Sequence, residues 1–340
     1  IAMTSPVFAF KFKPLNKALP SKGDNIDLDV KEQLNLLINR KLIVNDFDSN
    51  RDNYISWNEK EAVKNLSAAS MNITSLKGIE YFDKLESIIV HRNKCTELDV
   101  SRLSELKVLV LDDNKNLSSL DVSNNIKLER LSCNSCDLNE LNIGNKPNLK
   151  ELNCEGNNLT SLDISLCPDL YDLDCSGNDL TKLDVSTNLK LHDLDCAYNE
   201  LGELDFSKNT LLSNLRCYNT GISSLNLENN RALSTLYCDS NDLSVLDLSN
   251  NTSMSYLSCG NNKLDSLDVS NLNLRHLSCS VNNITELDLS SSKNLTYLSC
   301  SVNKLTSLNI TNCSYLYEFY CQKNELTSLD LSSFNTEKVT

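Results

Sequence analysis

Leucine returns to the same place in this chain every 21 residues, and a period of that length means a fold made by stacking one unit on the next. The unit starts are Leu85, Leu106, Leu128, Leu149, Leu170, Leu191, Leu212, Leu233, Met254, Leu274, Leu295 and Leu316, with one step of 22 residues and one of 20. The unit opening at Leu170 reads Leu170-Tyr171-Asp172-Leu173-Asp174-Cys175-Ser176-Gly177-Asn178, a short alternating run closed by a turn-forming Asn. Its second half, Leu180 to Asn188, repeats the same grammar with Val185 in the Cys position. The spacing predicts two short strands per coil on opposite walls, at residues 173–175 and 183–185, and little helix.

Leu170, Leu173, Cys175, Leu180, Leu183 and Val185 should all point inward, where one coil alone would leave them wet and stacked neighbours complete the core. The chain has 14 cysteines. Ten of them, at 133, 154, 175, 196, 217, 238, 259, 279, 300 and 321, keep step with the repeat and stand where Leu111 stands in an earlier unit. That predicts reduced, buried thiols acting as small apolar groups. Zinc-type C-x-x-C spacing is confined to Cys133 and Cys136, with no second pair nearby. A column of Asn (93, 114, 157, 178, 199, 241, 262, 282, 303 and 324) is expected to turn inward and satisfy backbone groups at the bend. Thr220 breaks that column, so its unit should be locally irregular.

The units resemble bacterial leucine-rich repeats of the nested 21-residue kind, and Thr74-Ser75-Leu76-Lys77-Gly78-Ile79-Glu80-Tyr81-Phe82 resembles the opening repeats of internalin-type surface proteins. The resemblance covers residues 63–334. It implies a right-handed, mostly β solenoid with short parallel strands on two walls, a small α-containing cap at 1–62 and a tail at 335–340. It also implies an extracellular or cell-surface setting and says little about the ligand. No apolar run approaches the ~20 residues needed to cross a bilayer. The last unit runs into Phe334 without a convincing cap, so either the chain continues or two ends associate, as a monomer or a weak end-to-end dimer.

Within the cap, a strand is expected at 7–12 and a helix at 30–40. Residues 48–59 match a 12-residue EF-hand loop, and calcium is a hard cation that wants such oxygen ligands. Asp48, Asn50 and Asp52 would ligate directly, Tyr54 through its carbonyl, Ser56 through water and Glu59 with both carboxylate oxygens. Asn53 replaces the usual glycine at position 6, which weakens binding without excluding it. The same residues would also suit an acidic turn that keeps this geometry without an ion.

On the first strand of each unit the third and fifth residues face solvent, with the seventh and eighth on the rim. The middle units place Glu151, Asp172, Asp174, Asp193 and Asp195 there, followed by Tyr198, Tyr218, Tyr237, Tyr256, Tyr297 and Tyr320. An acidic patch leading into a tyrosine stripe suggests a basic, partly apolar protein ligand, or a glycan held by the rings. The chain carries 32 Lys and Arg against 46 Asp and Glu, a formal charge of −14 that would repel nucleic acid. A second Asp column (99, 121, 163, 184, 205, 247, 268, 288 and 330) is too regular for a ligand site and reads as architecture. Catalysis finds no support, because His91, His192 and His276 sit in separate units and only 8 glycines are available for phosphate loops. The expected function is thus recognition of a protein ligand by a surface or secreted protein, with a structural spacer as the alternative.

Overall fold

The computed structural model describes residues 57–332, which divide into two compact units, one up to Leu159 and one from Thr160. Each unit is a parallel β-solenoid of leucine-rich repeats with almost no helix. The first opens with helix α1 (Trp57–Ala62) and carries strands β1 (Asn65–Ser67), β2 (Ser87–Ile89), β3 (Val108–Val110), β4 (Ser119–Asp121), β5 (Arg130–Ser132), β6 (Glu140–Asn142) and β7 (Glu151–Asn153). There β1, β2, β3, β5 and β7 pair in parallel, each in register with its neighbour's middle residue.

The second unit carries β8 (Asp172–Asp174), β9 (Asp193–Asp195), β10 (Asn214–Arg216), β11 (Thr235–Tyr237), β12 (Tyr256–Ser258), β13 (His276–Ser278), β14 (Glu286–Asp288), β15 (Tyr297–Ser299), β16 (Ser307–Asn309) and β17 (Glu318–Tyr320). β8 to β13, β15 and β17 form its parallel wall. The central Leu of β8 to β13 and of β15 is buried, as are the six inward positions expected for the unit at Leu170. The strand starts one residue earlier than the sequence suggests, at Asp172, because the pairing is centred on Leu173.

The second wall corrects the expectation of two complete strand walls. Among the described residues, its strands are β4 paired with β6 and β14 paired with β16, and residues 183–185 form none. A second Asn column runs along much of this wall. Asn209 Nδ2 donates to Val185 O and Asn188 O of the preceding coil at 3.0 Å each, and Asn230 and Asn251 repeat this on Phe206, Asn209, Leu227 and Asn230. The amide thereby bridges two coils without a ladder, while its own buried Oδ1 has no partner among the described residues. Both second-wall ladders instead span gaps bridged by Lys146 or Cys313.

The first Asn column does what its position predicts. Asn93 Nδ2 donates to Ala68 O and Val90 O, and its Oδ1 accepts from the Met71 and Ile73 amides. At the break, buried Thr220 donates to Cys217 O at 2.8 Å and keeps the strand register, so the irregularity is confined to the bend. All ladder cysteines are free, and all but Cys321 are buried. Burial pushes the ladder thiol of Cys300 up to about 12, and of the cysteines outside the ladder it pushes Cys136 to about 12 and Cys95 and Cys313 to about 11. The expected strand at 7–12, the helix at 30–40 and the loop at 48–56 lie outside the described residues.

Two outcomes follow. A thiol reagent added to native protein at pH 8 should modify Cys321 first and reach the other ladder thiols only on unfolding, since thiolate and access are both needed. Asn209→Ala should lower stability by about 1–3 kcal/mol in urea unfolding, because Val185 O and Asn188 O each lose a buried donor.

Candidate binding surface

Alternation along each strand turns residues on either side of the buried middle residue outward. On the second unit this produces two rows. One runs Asp172, Asp193, Asn214, Thr235, Tyr256, His276, Tyr297, Glu318, and the other Asp174, Asp195, Arg216, Tyr237, Ser258, Ser278, Ser299, Tyr320. Both rows begin acidic; the first then passes through Tyr256, His276 and Tyr297 to Glu318, and the second through Arg216, Tyr237 and three serines, of which Ser258 is buried, to Tyr320. Glu151 belongs to the first unit, where its carboxylate lies 3.2 Å from Arg130.

The structure brings the four second-unit aspartates together as register pairs, Asp172 with Asp193 and Asp174 with Asp195. Adjacent like charges cost stability unless compensated, and partners are present. Asp174 Oδ1 accepts from the amide and hydroxyl of Ser176 at 3.1 and 2.7 Å. Asp193 accepts from Asn214 and lies 3.0 Å from His192 Nδ1. Asp195 accepts from the Ala197 amide and sits 3.9 Å from Arg216 Nε.

The tyrosines divide into smaller groups than one continuous stripe. Tyr198 meets Tyr218 edge-on at 5.0 Å. Tyr237 lies under the Arg216 guanidinium at 5.6 Å. Tyr256 stacks on His276 at 5.8 Å, His276 on Tyr297 at 4.2 Å and 7° between planes, and Tyr297 tilts against Tyr320 at 6.0 Å. His276 and Arg216 are thus members of the wall that the sequence reading passed over. The signal was available, since each occupies an outward strand position when the units are aligned residue by residue. Burial in the stack lowers the His276 pKa against the opposing pull of Asp239 and Glu318, so the ring is held toward its neutral form.

The regular Asp column is local architecture. Asp99, Asp121, Asp163, Asp184, Asp205, Asp247, Asp268, Asp288 and Asp330 each accept from the amide two residues on, at 2.8–3.0 Å. Those Ser groups hold the carboxyls of Asp163, Asp184, Asp268 and Asp330 below the usual range. Of the EF-hand pattern, Glu59 is described. It lies buried in α1, and Asp48, Asn50, Asp52, Tyr54 and Ser56 lie outside the described residues. Among the described residues, no group of three or more His, Cys, Asp or Glu is placed to hold a metal ion, and no helix is long and apolar enough to cross a membrane.

No protein-family model matches this sequence, and no curated protein sequence matches it. Solved structures do. The chain is similar to the functional domain of InlJ from Listeria monocytogenes, which includes a cysteine ladder, with a TM-score of 0.70 and 34% identity over 82% of this chain and 58% of that one. It therefore spans a little over half of that domain's length. YopM from Yersinia enterocolitica WA-314 follows with a TM-score of 0.58 and 26% identity, over 72% of this chain and 57% of that one. The leucine-rich repeat protein LIC12759 of Leptospira interrogans shares the fold at 22% identity and a TM-score of 0.57, over 80% of this chain and 87% of that one.

The Asp column sets a pH dependence. A carboxyl whose folded pKa is lowered contributes stability that is fully present above its unfolded value and is lost as pH falls through the folded one. Melting temperature should therefore stay level above about pH 5 and drop below about pH 4. Asp184→Asn, which keeps a neutral acceptor, should reduce proton uptake on acid unfolding relative to wild type.

Proposed function

We propose that this chain is the recognition module of a bacterial cell-surface or secreted protein and holds a protein ligand on the strand wall of its second unit. The observation that carries this reading is the strand wall on which Asp172, Asp174, Asp193 and Asp195 stand at one end and the aromatic run Tyr256, His276 and Tyr297, with Tyr320 beside it, stands further along. A wall of that kind suits a basic, partly apolar protein surface, with the carboxylates steering the approach and the rings supplying contact area. The formal charge of −14 acts in the same direction. The similarity to InlJ and YopM supports a role in interaction rather than catalysis. Sugar binding would need an open ring face, and His276 and Tyr297 turn one face each to the other at 4.2 Å. That geometry favours a protein over a glycan. For the cap, calcium binding at 48–59 rests on the ligand spacing, and titration calorimetry that shows no heat at millimolar calcium would remove it.

The triple substitution Asp174→Asn, Asp195→Asn and Tyr237→Ala should abolish capture of partner proteins from envelope or host-surface extracts by the immobilised chain. Capture that persists unchanged would show that the ligand sits elsewhere.

A further inference from the structure

The repeat of the second unit is broken at one bend, and three departures coincide there. Thr220 stands in the Asn column between Asn199 and Asn241. Gly221 stands where the coils on either side carry Glu200 and Asp242, and Gly202 where they carry Thr181 and Ser223. Gly202 and Gly221 have φ of +66° and +73°, and a Cβ added to either would meet nothing within 4 Å. Side chains have been removed at a place where there was room for them.

The result is a groove of about 560 Å³ lined by Asp179, Tyr198, Glu200, Gly202, Thr220 and Gly221 among others, with no basic residue on its walls. Tyr198 stands at its rim, 56% exposed, with φ of +51°. The same turn position is Gly177, Asn219 and Ser240 in neighbouring coils and Val281 and Val302 further along, all with positive φ, so the backbone here is the repeat's own and the side chain is what differs. The break also frees a donor. Asn199 Oδ1 takes the Leu180 amide at 3.0 Å and Asn241 Oδ1 takes the Ile222 amide at 3.3 Å. At the matching Leu201 amide no acceptor is present among the described residues, and the Thr220 hydroxyl lies against Cys217 O at 2.8 Å and Asn241 Oδ1 at 3.1 Å; Leu201 itself is buried behind the groove. Thus two carboxylates and an exposed aromatic ring gather around one opening.

The geometry points to this groove as a binding site for an arginine side chain presented by the protein ligand. Guanidinium is planar, pairs with carboxylates through several N–H groups and stacks on an aromatic ring, which matches Asp179, Glu200 and Tyr198 together. This assignment rests on the protein-ligand reading above and names one contact of that ligand.

The test uses the full isotope-labelled chain and the capped peptide acetyl-Gly-Arg-Gly-amide, followed by NMR at the Gly202 and Gly221 amides. Saturable shifts are expected, with a Kd on the order of millimolar for so small a probe, and none with the neutral citrulline analogue. Thr220→Asn restores the column, so it should raise the Tm by about 2–4 °C while weakening the peptide at least fivefold. Tyr198→Asn should also weaken it. Glycine amides that stay still, that move equally with the citrulline peptide, or that respond unchanged in Thr220→Asn would overturn the assignment. The strand-wall triple variant separates the two readings. If it loses partner capture while the glycines ignore arginine, the groove alone fails, and if it keeps partner capture, the wall reading fails.

Discussion

The coils of this protein turn their backbone through tight, buried bends, and in most of them an asparagine carboxamide satisfies the carbonyls and amides there. Asn93 shows the full arrangement, giving two N–H bonds to carbonyls of its own and the previous coil and taking two amides in return. A buried unpaired peptide group costs on the order of 1–3 kcal/mol, about what burying one leucine side chain gains. The leucine and cysteine core can stack only because these bends are closed. Thiols fit this interior for the same reason that leucine does, and burial keeps them protonated and inert.

The two Asn columns both bond to carbonyls of the preceding coil, but only the first also takes amides on its Oδ1. The first column caps a bend that follows a paired strand, and strand pairing continues beside it. The second runs from Asn209 to Val185 O and Asn188 O and then from Asn230 to Phe206 O and Asn209 O, and strand pairing is absent there. One wall of the second unit is a regular strand array able to display rows of side chains, and the other is a turn-rich surface in which the Asp residues are occupied with the amides of their own turns.

A site on such a scaffold comes from what varies between coils, since the constant residues are committed to closing and filling them. The strand wall of the second unit carries carboxylates at one end and an aromatic run further along, and at the bend of Thr220 the constant residues themselves are lost. Part of the acidic character is compensated within the wall, by Arg216 beside Asp195 and by Ser176 under Asp174. The charge offered to a partner is accordingly smaller than the sequence count, and more sharply placed.

The sequence by itself determined the coil length, the inward Leu, Val and Cys positions, the inward turn of the first Asn column and the free state of the thiols. A strict period leaves each of these one physical solution, because stacked coils must bury the same positions every time. The tertiary structure decided what depends on distances between coils. It left residues 183–185 without a strand, joined His276 to the tyrosines, set Arg216 between Asp195 and Tyr237, and opened the groove beside Thr220. Those outcomes depend on which side chain of one coil reaches which atom of the next, and periodicity brings the candidates level without saying which of them bond.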